Sequence, residues 1–441
     1  MLPESTQVLI VGAGPAGLSC AVSLVMNGCK PEDITVVDAQ AAGLNLSRAI
    51  VIHAKTVEEL DTIGVMEKIT SRGLHANYMT VRAHGKRLVK ANFASLNRKT
   101  RFPYALLISQ AETEQILEER LKTLGVTVNR PYKVVDMKGS DDGVTVSFEG
   151  GEAVKARYVV GADGARSIIR KLAAIPFTDP DTNKDPFAEE PKPGESVKEE
   201  NARLGRPLII ADVHLSGNIP SSISPNDLAT FLGPLGFLLL VPLPASPDDP
   251  EGRTIYRMSC PAEPGVKEVS KERLQKVLAA ALSLPKDKIP EVDTIIWSSR
   301  FRVRHAVADR FFQFLGGGAV ALAGDAAHVH SPAGGQGMNL GVRDAISLGR
   351  ILGDIVKNNE LNTPTVSAKK AYAMQRLEEY SKTRREMALK VIKMTKVMTW
   401  ATGLEKEYAR ATRNGVWWLM GRGSLVNNKL ALRMSGLELS T

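Results

Sequence analysis

The 441-residue sequence has few cysteines, no long hydrophobic run and no recognisable signal peptide. Its three cysteines form no CxxC pair, which excludes a disulfide framework and a thiolate metal site and is typical of a reducing compartment. The longest apolar stretch, Gly236–Leu243, contains a proline and is far shorter than the roughly 20 residues that cross a bilayer. No basic region precedes the first apolar run, so we expect a cytoplasmic protein, and we predict no metal centre.

The sequence also lacks a charge surplus over most of its length. Its formal net charge is +9, from 57 Lys and Arg against 48 Asp and Glu. Residues 367–441 contain 15 of the basic residues and 6 of the acidic ones, which leaves 42 of each sign in residues 1–366. No recognised nucleic-acid-binding motif accompanies the basic segment, so we expect no nucleic-acid partner.

The order of the predicted elements indicates an α/β protein. An apolar strand at residues 8–11, a helix at 16–26 and a second strand at 34–37 follow the β-α-β order, which predicts a parallel, Rossmann-like sheet. Strand patterns at 208–214, 237–241, 254–259 and 294–304 predict a β-rich second module interleaved with the first. Beyond residue 338 the pattern is mainly helical.

Two segments differ in composition from the rest. Residues 176–200 contain five prolines and eight acidic residues, which predicts a long mobile loop. The segment 366–441 is predicted to be a set of basic helices, and its far end is rich in Trp and Met. We leave three interpretations open for it: a solvated helix packed on the first module, a segment that covers the mouth of a binding site, or peripheral attachment to an anionic membrane.

A glycine-rich turn after the first strand is the first motif that carries chemistry. Gly12 permits the tight turn, Gly14 lets the backbone approach a pyrophosphate, and Gly17 allows close packing of the helix. Asp38 follows Gly17 by 21 residues, where a carboxylate can accept hydrogen bonds from ribose hydroxyls. The pattern predicts dinucleotide binding without distinguishing FAD from a nicotinamide. The residues predicted to contact the cofactor here are Gly12, Gly14, Pro15, Ala16, Gly17, Asp38 and Ala39.

Two later strand ends carry further acidic residues. Asp163 follows a short buried strand, and the alternative to a cofactor contact is an N-cap of the helix Ile168–Leu172. Gly324 and Asp325 end another strand, ahead of a glycine-rich loop at 331–337 and a helix that begins near Met338. Such a helix start can stabilise negative charge on a nearby ring, as a reduced flavin requires. We therefore expect this loop to lie against a flat cofactor.

In this order and spacing, the three motifs resemble those of the single-component FAD-dependent aromatic hydroxylases, the para-hydroxybenzoate hydroxylase-like flavoprotein monooxygenases. The resemblance extends from residue 1 to about residue 365. It implies one bound FAD, NADPH or NADH as co-substrate, O2, and hydroxylation of a phenolic or hydroxybenzoate-type substrate through a flavin C4a-hydroperoxide. The implied domains are an FAD-binding domain (1–76, 103–175 and 305–365), a substrate domain (77–102 and 176–304) and the C-terminal helices (366–441).

The resemblance also assigns roles to particular residues. Arg48 matches an arginine near the flavin and nicotinamide paths, and Gln110 matches a cofactor-contacting glutamine. Asp163 matches the second nucleotide motif, and Asp325 matches the aspartate that binds the ribityl chain. The residues expected beside the flavin are Gly324, Pro332, Gly335, Gly337, Met338 and Asn339, with Pro332 and Arg48 also predicted to be catalytic.

The proton acceptor for a phenol is left open. Electrophilic oxygen transfer to a ring is favoured when the ring hydroxyl is deprotonated, so a base or a relay should exist. Tyr256 and His53 are our predicted catalytic candidates, and the other candidates are His214, Arg302, Arg304 and His305. The apolar strand near Phe237 contains no tyrosine, which favours a lipophilic aromatic substrate. We expect the reaction to belong to secondary metabolism or aromatic catabolism. Simple hydroxylation, oxidative decarboxylation, epoxidation and Baeyer–Villiger oxygenation stay open, and so does a non-catalytic flavoprotein or binding protein. The oligomeric state is not predicted.

Overall fold

The computed structural model describes residues 1–43, 49–187, 207–224, 226–246, 249–263, 268–360 and 365–438. Arg48 lies outside these residues, as does most of the predicted loop at 176–200. The helices are α1 (Pro15–Met26), α2 (Ala54–Thr62), α3 (Met66–Arg72), α4 (Gln110–Thr123), α5 (Ile168–Leu172), α6 (Lys271–Leu282), α7 (Gly337–Glu360), α8 (Val366–Thr402), α9 (Glu407–Met420) and α10 (Ser424–Met434).

The strands fall into two large sheets and two small ones. In chain order they are β1 (Ser5–Val11), β2 (Ile34–Val37), β3 (Val51–Ile52), β4 (Leu74–Ala76), β5 (Tyr78–Ala83), β6 (Lys86–Asn92), β7 (Ala105–Leu107), β8 (Val128–Asn129), β9 (Val134–Ser140), β10 (Gly143–Phe148), β11 (Ala153–Gly161), β12 (Phe177–Thr178), β13 (Pro207–Ser216), β14 (Asp227–Gly233), β15 (Gly236–Leu243), β16 (Ile255–Pro261), β17 (Glu291–Arg302), β18 (Ala306–Ala308), β19 (Phe312–Leu315), β20 (Gly318–Leu322) and β21 (His328–Val329).

The first large sheet is Rossmann-like, as the β-α-β pattern predicts. Its strands follow the order β19-β20-β11-β1-β2-β8, and β1 runs parallel to both β2 and β11. Strands β11 and β20 are also parallel, so their carboxyl ends meet beside that of β1. Strand β1 is buried from Val8 onward because helices cover the sheet. The predicted α/β class is confirmed.

The second large sheet has the order β17-β13-β16-β15-β14-β5-β6. Helix α6 packs against one of its faces and forms a separate hydrophobic cluster with residues such as Tyr256 and Met258. Since side chains of a strand alternate between faces, the residues between them point away from this cluster. This opposite face is the one that turns toward the first sheet's carboxyl ends and bounds the cavity described below.

The C-terminal helices pack on both sheets. Helix α8 buries Leu377, Tyr380 and Val391 in the main hydrophobic cluster, and the Tyr380 hydroxyl donates to the Leu322 carbonyl oxygen over 2.8 Å. The side chain of Arg384 pairs with the buried carboxylate of Asp344 on α7. The interpretation of this segment as helices packed on the first module is therefore confirmed for α8. No helix within the described ranges is long and apolar enough to cross a membrane.

The described start of the predicted loop, residues 177–187, is joined to the rest of the protein by a short strand and by ion pairs. Strand β12 pairs with β18, and Phe177 is buried beneath the guanidinium of Arg170, 3.7 Å from its ring. The carboxylates of Asp179 and Asp181 both accept from Nζ of Lys396 on α8. Burial of an aromatic ring and the paired charges hold this stretch, whereas residues 188–206 lie outside the described ranges.

Candidate active site

A large cavity lies where the two big sheets and the C-terminal helices meet. Its volume is about 2770 Å³, well above the roughly 300–1000 Å³ of an ordinary ligand pocket. The cavity therefore has room for a large cofactor and a second molecule beside it. Of the sequence-predicted residues, it is lined by Gly12, Gly14, Pro15, Ala16, Asp38, Ala39, His53, Gln110, Asp163, Arg302, Arg304, Gly324, Asp325, Pro332, Gly335, Gly337 and Met338.

The glycine-rich turn has the shape that a pyrophosphate site requires. Gly12 has φ of +105°, and a Cβ there would lie 2.3 Å from the Ala162 carbonyl oxygen. A Cβ on Gly17 would lie 1.8 Å from the Gly12 carbonyl oxygen, so Gly17 serves helix packing and does not line the cavity. Gly14 differs, because a Cβ there would meet nothing closer than Glu114 Oε1 at 3.9 Å. Its bare backbone faces open space at the N-terminus of α1.

Asp38 stands at the cavity wall at the end of β2. Its Oδ2 accepts from the Ala13 backbone N–H over 2.7 Å, and its Oδ1 accepts from the Gln40 N–H over 2.8 Å. Each carboxylate oxygen can accept a further hydrogen bond, as a ribose hydroxyl would supply. The side-chain amide of Gln110 donates to Glu114 over 2.8 Å, and its oxygen accepts from the Ala49 N–H over 3.3 Å. These bonds fix Gln110 at the start of α4.

Asp163 also reaches the cavity, but its carboxylate is used within its own loop. It accepts from the Ser167 hydroxyl over 2.5 Å and from the backbone N–H groups of Ile168 and Ile169 over 2.7 and 3.2 Å. Burial raises the pKa of Asp163. The N-cap residue of α5 is Ser167, whose hydroxyl accepts from the Arg170 N–H, and Asp163 supplements this cap by accepting from the first two N–H groups of the helix.

The second glycine-rich loop is held by hydrogen bonds on the side away from the cavity. Asn339 is 1% exposed and does not line the cavity; its amide donates to the Val51 and Gly335 carbonyl oxygens over 2.7 and 2.6 Å. Gly334 and Gly335 have φ of +81° and +63°, conformations that favour glycine. The backbone of this loop and the first turn of α7 line the cavity, so a flat ring system can lie against them.

His53 sits between this loop and Phe93. Because a carbonyl oxygen only accepts, the 2.8 Å contact to Gly334 places the proton on His53 Nε2. The other ring nitrogen, Nδ1, is then an acceptor, and it is buried with no hydrogen-bond partner among the described residues. Burial lowers the pKa of His53 to about 4, so the ring is neutral at ordinary pH. His330 lines the same cavity, and burial lowers its pKa to about 4 as well.

The second sheet contributes an apolar wall with one buried cation. The wall residues on this side include Met79, Val81, Phe93, Leu208, Ile210, Leu228, Phe237 and Leu239. Arg257 lines the cavity among them, is 1% exposed and pairs with the Asp212 carboxylate. Sequence reasoning missed Arg257, although it alternates with the core-facing Tyr256 and Met258 and strand periodicity could have indicated it.

Three sequence candidates for the proton acceptor lie away from the cavity. Tyr256 packs in the cluster beneath α6, because alternation along β16 turns its ring to the opposite face from Arg257. His214 is buried, with Nδ1 3.3 Å from the Thr254 carbonyl oxygen, and it does not line the cavity. His305 also lies outside the lining. Of the original set, this leaves His53, Arg302 and Arg304 at the cavity.

The C-terminal helices close the remaining side. A Cβ on Gly334 would come within 2.7 Å of the Met434 methyl group and 3.6 Å of that of Met398, so both side chains cover the glycine-rich loop. The Gln336 amide donates to the Met434 carbonyl oxygen over 3.0 Å, and the Thr399 hydroxyl to the Ser331 hydroxyl over 2.6 Å. The sequence interpretation of a segment covering the mouth of a site agrees with these contacts.

A glycine-rich turn, an acidic strand end and a second glycine-rich loop around one cavity define a dinucleotide-binding protein. The model of the FAD binding domain family matches residues 5–189 and 237–395. The chain therefore belongs to that family, within the FAD-dependent aromatic hydroxylases that the three sequence motifs indicate, and this prediction is confirmed.

Known proteins of similar sequence and structure agree with this assignment. The chain is 30% identical to 6-methylpretetramide 4-monooxygenase from Streptomyces rimosus over 81% of this chain, and 31% identical to rifampicin monooxygenase from Streptomyces venezuelae over 78%. It spans 58% and 63% of the lengths of those two relatives. The crystal structure of p-nitrophenol 4-monooxygenase from Pseudomonas putida DLL-E4 shares the fold, with a TM-score of 0.77 at 24% identity and 99% of each chain covered.

Proposed function

We propose that this protein is an FAD- and NAD(P)H-dependent monooxygenase that hydroxylates a lipophilic phenolic or hydroxybenzoate-type ring. One observation carries the proposal: a single cavity joins the glycine-rich cofactor motifs to an apolar wall on the second sheet. Bound FAD would accept a hydride from NAD(P)H and activate O2. Overall, one oxygen atom of O2 enters the ring and the other leaves as water, while NAD(P)H is oxidised.

The residues present suit FAD at the cofactor end. We propose that the backbone at Gly14 and the N-terminus of α1 hold the pyrophosphate, and that Asp38 accepts from the adenosine ribose. Asp325, exposed at the cavity wall, would accept from the ribityl hydroxyls. The loop 332–337 would lie against the flavin ring, where the start of α7 stabilises negative charge. Gln110, Asp163 and Asn339 would act by holding these segments in place.

His53 is our proposed hydrogen-bond acceptor for the substrate hydroxyl. Its neutral ring, with the proton fixed on Nε2 by Gly334, leaves Nδ1 as the only ring acceptor. Because burial lowers the pKa of His53 to about 4, the ring is neutral at neutral pH but is a weak base, so we propose that it orients the substrate hydroxyl by a hydrogen bond and does not hold its proton. Arg302 and Arg304 lie on the same cavity and carry permanent positive charge, which suits an anionic group of the substrate or of NAD(P)H.

Purified protein tests the proposal directly. We expect a yellow preparation with bound flavin, and NAD(P)H oxidation that rises when the correct phenol is added. The product should be heavier by one oxygen atom; loss of carbon dioxide in the same step would identify the decarboxylating variant. Protein that gains no flavin absorbance on reconstitution with FAD would refute the assignment. A flavin-loaded protein whose NAD(P)H oxidation no phenol accelerates would favour a non-catalytic flavoprotein.

A further inference from the structure

Exposed hydrophobic side chains are concentrated in one short part of this chain. Fourteen large hydrophobic residues are exposed within the described ranges, and nine of them lie between Val397 and Val426. Leu419 is 67% exposed and Leu425 83%, on either side of the turn that joins α9 to α10. Solvent-exposed apolar groups are common singly, but a concentration of this kind marks an interaction surface. We call residues 397–426 the rim.

The rim also borders the cavity. Val397, Trp400, Met420 and Val426 are exposed to solvent, and each of them lines the cavity as well. The apolar surface is therefore continuous from outside the molecule into the substrate side of the cavity. Whatever covers the rim would also cover the cavity mouth.

The charges around the rim indicate what it contacts. The rim contains four basic side chains and two acidic ones, Glu405 and Glu407, and two further basic residues, Lys429 and Arg433, follow on α10. The Arg422 guanidinium lies 3.7 Å from the centroid of the Trp418 ring, and Lys406 lies 5.7 Å from that of Tyr408. Aromatic and basic side chains interleaved on exposed helices are typical of a surface that lies in the headgroup region of an anionic bilayer. A second copy would bring the same positive charges together, which disfavours self-association at this face.

We propose that the rim docks on an anionic phospholipid surface and that the cavity mouth opens against the lipid, so a lipophilic substrate enters from the bilayer. Entry of the substrate from the bilayer rests on the proposed function, whereas docking on the lipid surface does not. The apolar side chains at the α9–α10 turn would bury themselves among the acyl chains near the headgroups. The basic side chains would remain beside lipid phosphates.

Vesicle flotation with the full-length, FAD-loaded protein tests docking without any turnover. We expect flotation with vesicles of phosphatidylcholine and phosphatidylserine, little with phosphatidylcholine alone, and a decrease as salt rises. Leu419→Ser combined with Leu425→Ser should weaken binding by roughly tenfold to a hundredfold, because two large apolar side chains no longer enter the bilayer. Neither leucine lines the cavity, so bound flavin should be retained.

Matched variants distinguish binding through the rim from nonspecific binding through other exposed side chains. Val135→Ser combined with Ile296→Ser removes two other exposed apolar side chains, each 47% exposed, and vesicle binding should not change. Arg422→Gln combined with Lys429→Gln should weaken binding about fivefold for each charge near the lipid, whereas Lys286→Gln with Lys288→Gln should have no effect.

Three other outcomes would contradict part of this proposal or of the proposed function. Absence of flotation, or flotation that the leucine pair does not reduce, would overturn the proposal. If light scattering instead shows a dimer that the leucine pair converts into a monomer, the rim binds a second copy. If the protein floats with the vesicles but hydroxylates no phenol, the proposed function is contradicted and docking remains supported.

Discussion

At the scale of single residues, Gly14 and Gly17 belong to one motif but have different structural roles. Gly14 has extended backbone angles, φ −77° and ψ −175°, which any residue adopts, and open space where a side chain would go. Gly17 has no such space, since a Cβ would collide with the backbone of Gly12. The motif therefore separates into a ligand-facing position and a packing position.

Substitution by alanine should reveal this division. We expect Gly14→Ala to melt within a few degrees of the parent, and to bind FAD on the order of tenfold more weakly because a methyl group projects into the pyrophosphate site. Gly17→Ala should lose roughly 1–3 kcal/mol or more of unfolding free energy through overpacking. Thermal melts and flavin titration measure both; equal melting temperatures for the two variants would contradict the geometry.

Asp325 offers a second test of the cofactor end. Asp325→Ala removes a carboxylate at the cavity wall while leaving the buried strand end intact, so we expect a folded protein that has lost most of its FAD. Asp309→Ala, on a loop outside the cavity, is a matched control that should keep its flavin. Stoichiometric flavin in the Asp325 variant would refute its proposed role.

The buried histidines should make the fold sensitive to acid. Burial lowers the pKa of His53 and of His330 from 6.5 to about 4, so the unfolded chain binds protons that the folded chain does not. The stability that each contributes is complete above pH 6.5 and falls as the pH drops toward about 4, by up to roughly 3 kcal/mol per histidine. Denaturant unfolding at several pH values should show this slope, and His53→Asn should reduce it.

At the scale of secondary-structure elements, α7 and α8 are joined by a buried charged group. The Asp344 carboxylate is fully buried, accepts from Arg384, and lies 2.5 Å from His328 Nε2. Burial raises the pKa of Asp344, but the nearby positive charge of Arg384 and the contacts with His328 outweigh it and keep the pKa below its ordinary value. The long basic helix is thus attached at a specific point.

Removing one partner of this pair should be costly. Arg384→Met leaves the buried carboxylate without its main partner, and we expect a loss of about 3–5 kcal/mol in unfolding free energy. Asp344→Leu combined with Arg384→Met removes both charges and should recover a large part of that loss. Denaturant titration of the two variants decides between them. An Arg384→Met variant as stable as the parent would show that the pairing contributes little and that α8 is held by apolar packing.

At the scale of the whole molecule, the C-terminal segment completes the cavity. Helix α10 buries Ala431 and Met434 against the small sheet of β3, β7 and β4 and against part of the second sheet. The cofactor motifs themselves lie on the first sheet, far from residues 404–441 in sequence. We infer that the segment shields the glycine-rich loop from water and does not supply cofactor ligands.

Deleting residues 404–441 should separate cofactor binding from productive oxygenation. We expect FAD to remain bound but less NAD(P)H oxidation to end in hydroxylated product, since water now reaches the ring face beside Gly334. The ratio of product to NAD(P)H consumed, together with released hydrogen peroxide, measures this uncoupling. Met434→Ala is a milder variant that should shift the ratio in the same direction, and unchanged coupling in both would refute the role.

The fold class and the family follow from the sequence alone, and most of the residues that it predicts at the cofactor line the cavity. A turn with fixed glycine spacing, an acidic residue at the next strand end and a later Gly-Asp pair are local patterns, and local backbone geometry is enough to give them meaning. Helix α6 and the apolar strand β15 were equally predictable, because periodicity and burial agree there. The group that contacts the substrate hydroxyl could not be predicted from the sequence. Neighbouring residues such as Tyr256 and Arg257 lie on opposite faces of the sheet, and the sequence does not show which face lines the cavity.

The residues that line the rest of the cavity were set by the tertiary structure. It brought His53, Arg257 and the C-terminal methionines to one cavity from three distant parts of the chain, and it placed Tyr256, His214 and His305 elsewhere. It also located the basic residues of 367–441: Arg384 and Arg413 are buried, whereas the other basic side chains are partly or fully exposed. Packing of distant segments sets these positions, and no spacing within one segment records it.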